Sequence, residues 1–127
     1  MKRKNFSGGA VWEDIVGYSR AVRIGNIIEI SGTTAVVDNK VAGVNDPYIQ
    51  TKTILEKIKK VLEEAGASLA DVIRTRMFVT DISKWQQYAK AHQEYFGKIK
   101  PATSMIEIKS LIDPDMMIEI EVSAVVG

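Results

Sequence analysis

A chain of 127 residues is long enough to bury one hydrophobic core and too short for two. Its 46% hydrophobic and 26% charged residues exclude a disordered segment, and 17 basic against 16 acidic residues leave no field that would draw it onto nucleic acid or a membrane. Without cysteine there are no disulfides, no thiolate chemistry and no Cys-based zinc sites, and a cytoplasmic location is expected.

Residues 1–17 read as an extended arm of a single domain spanning 1–127, loosened by Gly8-Gly9 and pinned by Val11, Trp12 and Ile15. The basic Met1–Asn5 start runs into Phe6-Ser7-Gly8-Gly9 rather than an apolar stretch, so no signal peptide is expected, and no stretch approaches a membrane span. Tyr18 to Ile24 alternates, with Tyr18, Arg20, Val22 and Ile24 on one side and Arg23 on the other. Gly25-Asn26 predicts a reversed hairpin turn into a second strand, Ile27 to Thr33. Val36 to Val44 is a weaker strand candidate, turned at Asp38-Asn39.

The first long helix has the clearest signals. Asp46 suits the N-cap, Pro47 the first turn and Gly66 the left-handed C-terminal residue. Ile54, Leu55, Ile58, Val61, Leu62 and Ala65 form its apolar stripe, while Lys57, Lys59 and Lys60 fall off it on a solvated face. Val72 to Thr80 reads as a strand. A second helix is predicted from Ser83, with Gln86 completing a capping box, to Gly97. Strands over Thr103 to Ser110 and Met116 to Val126 follow, separated by a turn at Asp113-Pro114-Asp115.

These elements predict an α+β fold: one six-stranded mixed sheet with two helices packed on one face. Two helices cover only that face. The last strand is apolar at Ile118, Ile120, Val122 and Ala124, and carries Met117, Glu119, Glu121 and Val125 on its other side. A face neither covered nor plainly polar predicts a partner, and a second copy of the chain is the simplest one.

Phosphate loops, H-E-x-x-H and G-x-S-x-G are all missing. No metal or cofactor is expected. His92, the only histidine, reads first as a packed or surface side chain and only second as a proton-transfer group. Glu119 and Glu121 on an apolar strand need donors, whether arginines (Arg20, Arg23, Arg74 or Arg76) at a subunit interface or a water and a substrate in a cleft. Ser31-Gly32-Thr33-Thr34 offers hydroxyls and N–H groups to an anion, or simply ends a strand. Arg20 beside Tyr18 suits a carboxylate or, equally, a place on the rim.

Gly17 to Asn26, Ile30-Ser31-Gly32, Leu62 to Ala67, Phe78 to Ile82, Tyr95-Phe96, Pro101-Ala102-Thr103-Ser104 and Ile118 to Glu121 together resemble the RidA/YjgF family, once called endoribonuclease L-PSP. The resemblance runs from about Tyr18 to the C-terminus. It implies a chorismate mutase-like fold and a homotrimer with three clefts between subunits. It also implies hydrolysis of a small imine or enamine, such as 2-aminoacrylate, without metal or cofactor. On the matching positions it implies Glu119 as the water-positioning carboxylate and Tyr18 as its catalytic neighbour. Ser31, Gly32, Thr103 and Met105 then take substrate-binding positions, with Arg20 as a further candidate. Thr103 stands where the deaminating branch has an arginine, Met105 at a cysteine-like position, and Ala89 near an expected asparagine. The chain therefore resembles an outlying branch. Its expected partner is a keto or imino acid, with binding or sensing without turnover as the alternative. An RNA-directed activity, suggested by the old family name, is opposed by the balanced charge.

Overall fold

A computed structural model describes residues 1–127. Six strands form the main sheet in the order β1-β2-β3-β8-β6-β7. They are β1 (Arg3–Phe6), β2 (Ala21–Ile24), β3 (Ile27–Thr33), β6 (Val72–Val79), β7 (Ala102–Glu107) and β8 (Ile118–Val125). All neighbours run antiparallel except β6 and β7, so the sheet is mixed. Two long helices, α2 (Pro47–Glu64) and α3 (Trp85–Phe96), pack on one face.

The local chemistry explains these elements. The β2–β3 hairpin closes through Gly25-Asn26, where only Gly25 has a positive φ, at 58°. That is the glycine-first form of the two-residue reversed turn. Asp46 accepts from Ile49 N at 3.0 Å and caps α2, and Pro47 opens it. The helix ends with Gly66 in the left-handed region, at φ 85°, while Ala67 N donates to Leu62 O and Gly66 N to Glu63 O. Arg23 Nη1 donates to Ala65 O at 2.6 Å and places a cation at that carbonyl end. Tyr48 bonds Glu94 and Tyr95 bonds Glu56, tying α2 to α3.

Three features of the secondary structure differ from the sequence reading. The arm is not simply extended. Arg3–Phe6 pairs along Ala21–Ile24 and takes the sixth place in the sheet, and Val11–Val16 forms a short helix, α1. The weak candidate at Val36 to Val44 instead makes a separate two-residue pair, β4 (Val36–Val37) and β5 (Lys40–Val41), turned by Asp38 and Asn39 with φ of 51° and 64°. Ser83 does not cap α3. The Asp81 carboxylate accepts from Ser83 N and Oγ, a 3-10 turn covers Ile82–Lys84, and α3 starts at Trp85.

The core lies between the helices and the sheet. Ile28, Ile30, Met77, Val79, Ile118, Ile120 and Val122 meet Ile54, Leu55, Ile58 and Leu62 of α2 and Tyr88 and Phe96 of α3. Each such side chain contributes about 1.5–3 kcal/mol by leaving water. Met117 precedes β8 and packs against this core rather than lying on the opposite face. On that opposite face no helix covers Ile27 and Val125, which are 56% and 41% exposed.

Candidate functional site

A β-bulge shapes the site. Ile30 pairs with Val122 and Thr33 with Ile120, so β3 fits one more residue than β8 between those two pairs. Ser31 and Gly32 are the bulged pair, opposite Glu121. Bulges bend the strand and re-aim side chains. Here Gly32 comes to lie directly against the Glu119 side chain: a Cβ on Gly32 would stand 2.6 Å from Glu119 Cδ and 2.8 Å from both carboxylate oxygens.

Arg20 holds the other side of the bulge. Its Nη2 donates to Gly32 O at 2.7 Å, and its guanidinium carbon lies 5.9 Å from the centre of the Tyr18 ring. Its Nε is buried without a partner. Ser31 Oγ donates to Ser19 O at 2.6 Å, which commits its proton and leaves its oxygen free to accept. Tyr18, Arg20, Ser31, Gly32, Glu119 and Glu121 all line one cleft of about 980 Å³.

Alternation cannot separate the two glutamates, but their cross-strand neighbours differ. Glu121 faces Arg76 of β6, while Glu119 faces Phe78. An opposite charge directly across an antiparallel pair is favourable; an aromatic ring gives a carboxylate no such partner. Burial pushes the Glu119 carboxyl above the ordinary glutamate value of 4.5, Glu121 pushes it further, and Arg20 pulls against both.

Two charged residues near Arg20 were not legible in the sequence. Glu13 of α1 is only 8% exposed and accepts from Gly8 N at 2.9 Å and Ala10 N at 3.2 Å. Burial raises its pKa, but the hydrogen bonds from Gly8, Ser7 and Ala10, with the charge of Arg20, outweigh that and hold it below 4.5. Glu13 thus remains an anion beside Arg20. Its sequence signal was its place three residues after the Ala10 cap, with Gly17 four residues later. Gly17, at φ 89°, ends α1, and Gly17 N and Tyr18 N both return to Glu13 O, which sets Tyr18 at the cleft. Lys57 is the second. It is not on a solvated face: its Nζ reaches Thr34 O at 2.7 Å and Val36 O at 2.9 Å, on the cleft wall. Burial and Arg20 lower its pKa.

Thr103 and Met105 lie elsewhere. Both are on β7, at the far edge of the sheet and separated from β8 by β6. Thr103 is exposed and bonds Thr75 and Pro101, and Met105 is half-buried against the core. His92 also stands outside the cleft, on α3. No group of three or more His, Asp or Glu side chains is arranged as metal ligands, and no helix is long and apolar enough to cross a membrane.

The family model described as endoribonuclease L-PSP matches residues 10–126. A RutC family protein of Pyrococcus abyssi is 37% identical over 109 residues, 84% of each chain. The crystal structure of a member of the YjgF/YER057c/UK114 family from Mycobacterium tuberculosis superposes with a TM-score of 0.90 at 46% identity, covering 98% of this chain and 100% of the other. A Rid family protein from Yersinia pestis gives a TM-score of 0.87 at 28% identity, with 98% and 100% covered. The α+β sheet, its two helices and the match over nearly the whole length place the chain in the RidA/YjgF family, the endoribonuclease L-PSP family.

Proposed function

We propose that the protein is a homotrimer that binds a small carbonyl or imino compound in a cleft between subunits and hydrolyses its C–N bond, with Glu119 as the base. The observation that carries this reading is the Glu119 carboxylate, partly desolvated, laid on Gly32 and lacking a cation across the strand. A carboxylate held so is a stronger base than one in water. It takes a proton from a water molecule as the oxygen adds to the imine carbon and hands that proton to the nitrogen, which gives a carbinolamine. It then takes the carbinolamine hydroxyl proton as the carbonyl forms and passes it to the leaving nitrogen, so that ammonia departs and Glu119 ends as it began. Arg20 supplies the positive charge for a substrate carboxylate, since its guanidinium keeps donors beyond the one given to Gly32. Tyr18 flanks the same space.

The uncovered sheet face and the position of β7 support the trimer. Thr103 and Met105 reach a Glu119 cleft only from a neighbouring copy. A second reading, ligand binding without turnover, is favoured by Thr103 itself, which offers a neutral hydroxyl where the deaminating branch has a guanidinium.

Sedimentation equilibrium is expected to give about three times 14.1 kDa; a stable monomer at micromolar concentration would sink the trimer. Small imines generated in situ test turnover by appearance of the carbonyl product. Acceleration lost in Glu119→Gln is expected. Keto-acid binding with no acceleration of any imine selects the second reading.

With 2-aminoacrylate, turnover is expected to be weak. Losing a charged hydrogen bond to a carboxylate costs about 1.5–3 kcal/mol, or roughly ten- to a hundred-fold in binding. Thr103→Arg should recover part of that factor. A wild-type rate equal to that of an arginine-bearing relative would show that Thr103 does not limit the reaction.

A further inference from the structure

His92 takes no part in the cleft, yet it is tied to one of the positions argued above. Its imidazole packs on Phe96, ring centres 4.8 Å apart, and its Nε2 lies 2.9 Å from Thr75 Oγ1. Thr75 is fully buried on β6, and its hydroxyl also lies 2.8 Å from Thr103 Oγ1 on β7. Thr103 is exposed, and its hydroxyl donates to Pro101 O at 3.1 Å. Three polar groups thus form one line from the helix layer to the exposed edge of the sheet.

A hydroxyl has one proton to donate, which makes this line directional. Thr103 gives its proton to Pro101 O, so Thr75 must donate to Thr103. The Thr75 oxygen then accepts from His92, which requires the tautomer protonated on Nε2. In the opposite polarity His92 carries its proton on Nδ1, Thr75 donates inward, and Thr103 donates to Thr75. Only the first polarity points the Thr103 proton away from Thr75, to Pro101 O or to a ligand that takes its place.

We propose that His92, acting through Thr75, is a positioning residue that fixes the Thr103 hydroxyl as an outward donor for a carboxylate or carbonyl oxygen. The relay stands on the distances alone; its use for a ligand rests on the reading above that brings Thr103 to a cleft between copies. The surroundings suit a tautomeric device rather than a charged one. Of the charged groups on the elements around α3, Glu56 of α2 is engaged by Tyr95 and Arg74 of β6 by Ser104 Oγ. Burial alone perturbs the imidazole, and it lowers the pKa below 6.5, which keeps the ring neutral at neutral pH.

Because the chain has one histidine, nitrogen NMR of the full-length protein reads its tautomer without ambiguity. Wild type is expected to be predominantly protonated on Nε2. Thr103→Val keeps a β-branched residue at an exposed strand position, so the strand should survive. The Thr75 proton then loses its acceptor and turns inward, and the imidazole should shift to a majority protonated on Nδ1. Thr103→Ser should retain the wild-type spectrum. The same tautomer in wild type and Thr103→Val overturns the relay. For the ligand, 2-oxobutyrate is titrated into wild type and Thr75→Val, with His92→Phe in its place should Thr75→Val unfold. About ten-fold weaker binding by the variant is expected; equal affinity overturns the use of the relay. If 2-oxobutyrate binds neither protein, the cleft reading falls, and the ligand-free spectra still decide the relay.

Discussion

Glu119→Gln is expected to abolish imine hydrolysis, by about 10²–10⁴-fold, while leaving the trimer intact. The amide keeps the shape of the carboxylate against Gly32 and cannot take a proton. Glu121→Gln should cost far less, because Glu121 lies opposite Arg76 in the sheet and is not the carboxylate against Gly32. The pH profile adds a second check. A base works only when deprotonated, so the rate should rise with pH through a value above the ordinary 4.5, as burial and Glu121 dictate. Stability should move the opposite way to activity. A carboxyl whose folded-state pKa is raised stabilises the fold while protonated, and that contribution is lost as pH rises through the raised value. At neutral pH the wild type therefore carries an unfavourable charge that Glu119→Gln removes, and the variant should melt at a higher temperature. The gap should narrow as pH falls below 4.5, where both side chains are neutral. A variant that is less stable at neutral pH, or that keeps full turnover, would show that Glu119 is an ordinary paired carboxylate.

The fold was legible wherever a local rule was strong enough to decide it. Asp46-Pro47, the Ile54 to Leu62 stripe, Gly66 and Gly25-Asn26 each carry a capping or turn preference that no tertiary contact had to override. The N-terminal arm was not legible, because Arg3–Phe6 becomes a strand only by pairing with β2, and its polar composition gives no period-2 pattern. The Asp81 cap was missed for a related reason: Ser83-Gln86 satisfies the capping-box spacing, yet Asp81 takes both Ser83 protons first. At the site, Tyr18, Arg20, Ser31, Gly32 and Glu119 come together in one cleft, while Thr103 and Met105 lie at the other edge of the sheet. What sequence could not supply was register. A one-residue bulge at Ser31-Gly32 determines what Glu119 touches, and bulges leave no periodic trace. Lys57 escaped for the opposite reason: its position off the apolar stripe was read correctly, but a four-carbon stem let its ammonium fold back onto two carbonyls.

Gly32→Ala should separate the site from the fold more cleanly than any change to a charged residue. Gly32 is not in the left-handed region, so alanine meets no backbone strain there. The added Cβ would stand 2.6 Å from Glu119 Cδ, a distance that real contacts do not tolerate. The clash falls on the far end of a flexible side chain, so the carboxylate swings away instead of the sheet parting. Arg20 still bonds the residue-32 carbonyl, since that contact is to backbone. The alanine also restricts the unfolded chain, worth about 0.4–1 kcal/mol in favour of folding. Net stability should therefore change by about 1 kcal/mol or less, while turnover or ligand affinity falls by about a hundred-fold, the scale expected when a reacting group is misplaced by an ångström. Chemical denaturation and the imine assay on the same preparation give both numbers. The double variant sharpens the test. Aspartate is shorter by one methylene and clears the new methyl group, so Glu119→Asp should cost less in the Gly32→Ala background than in wild type. Such non-additivity is the mark of two groups in direct contact. Fully additive losses, or a Gly32→Ala protein with wild-type activity, would mean that the carboxylate resting on Gly32 is not the working conformation of Glu119.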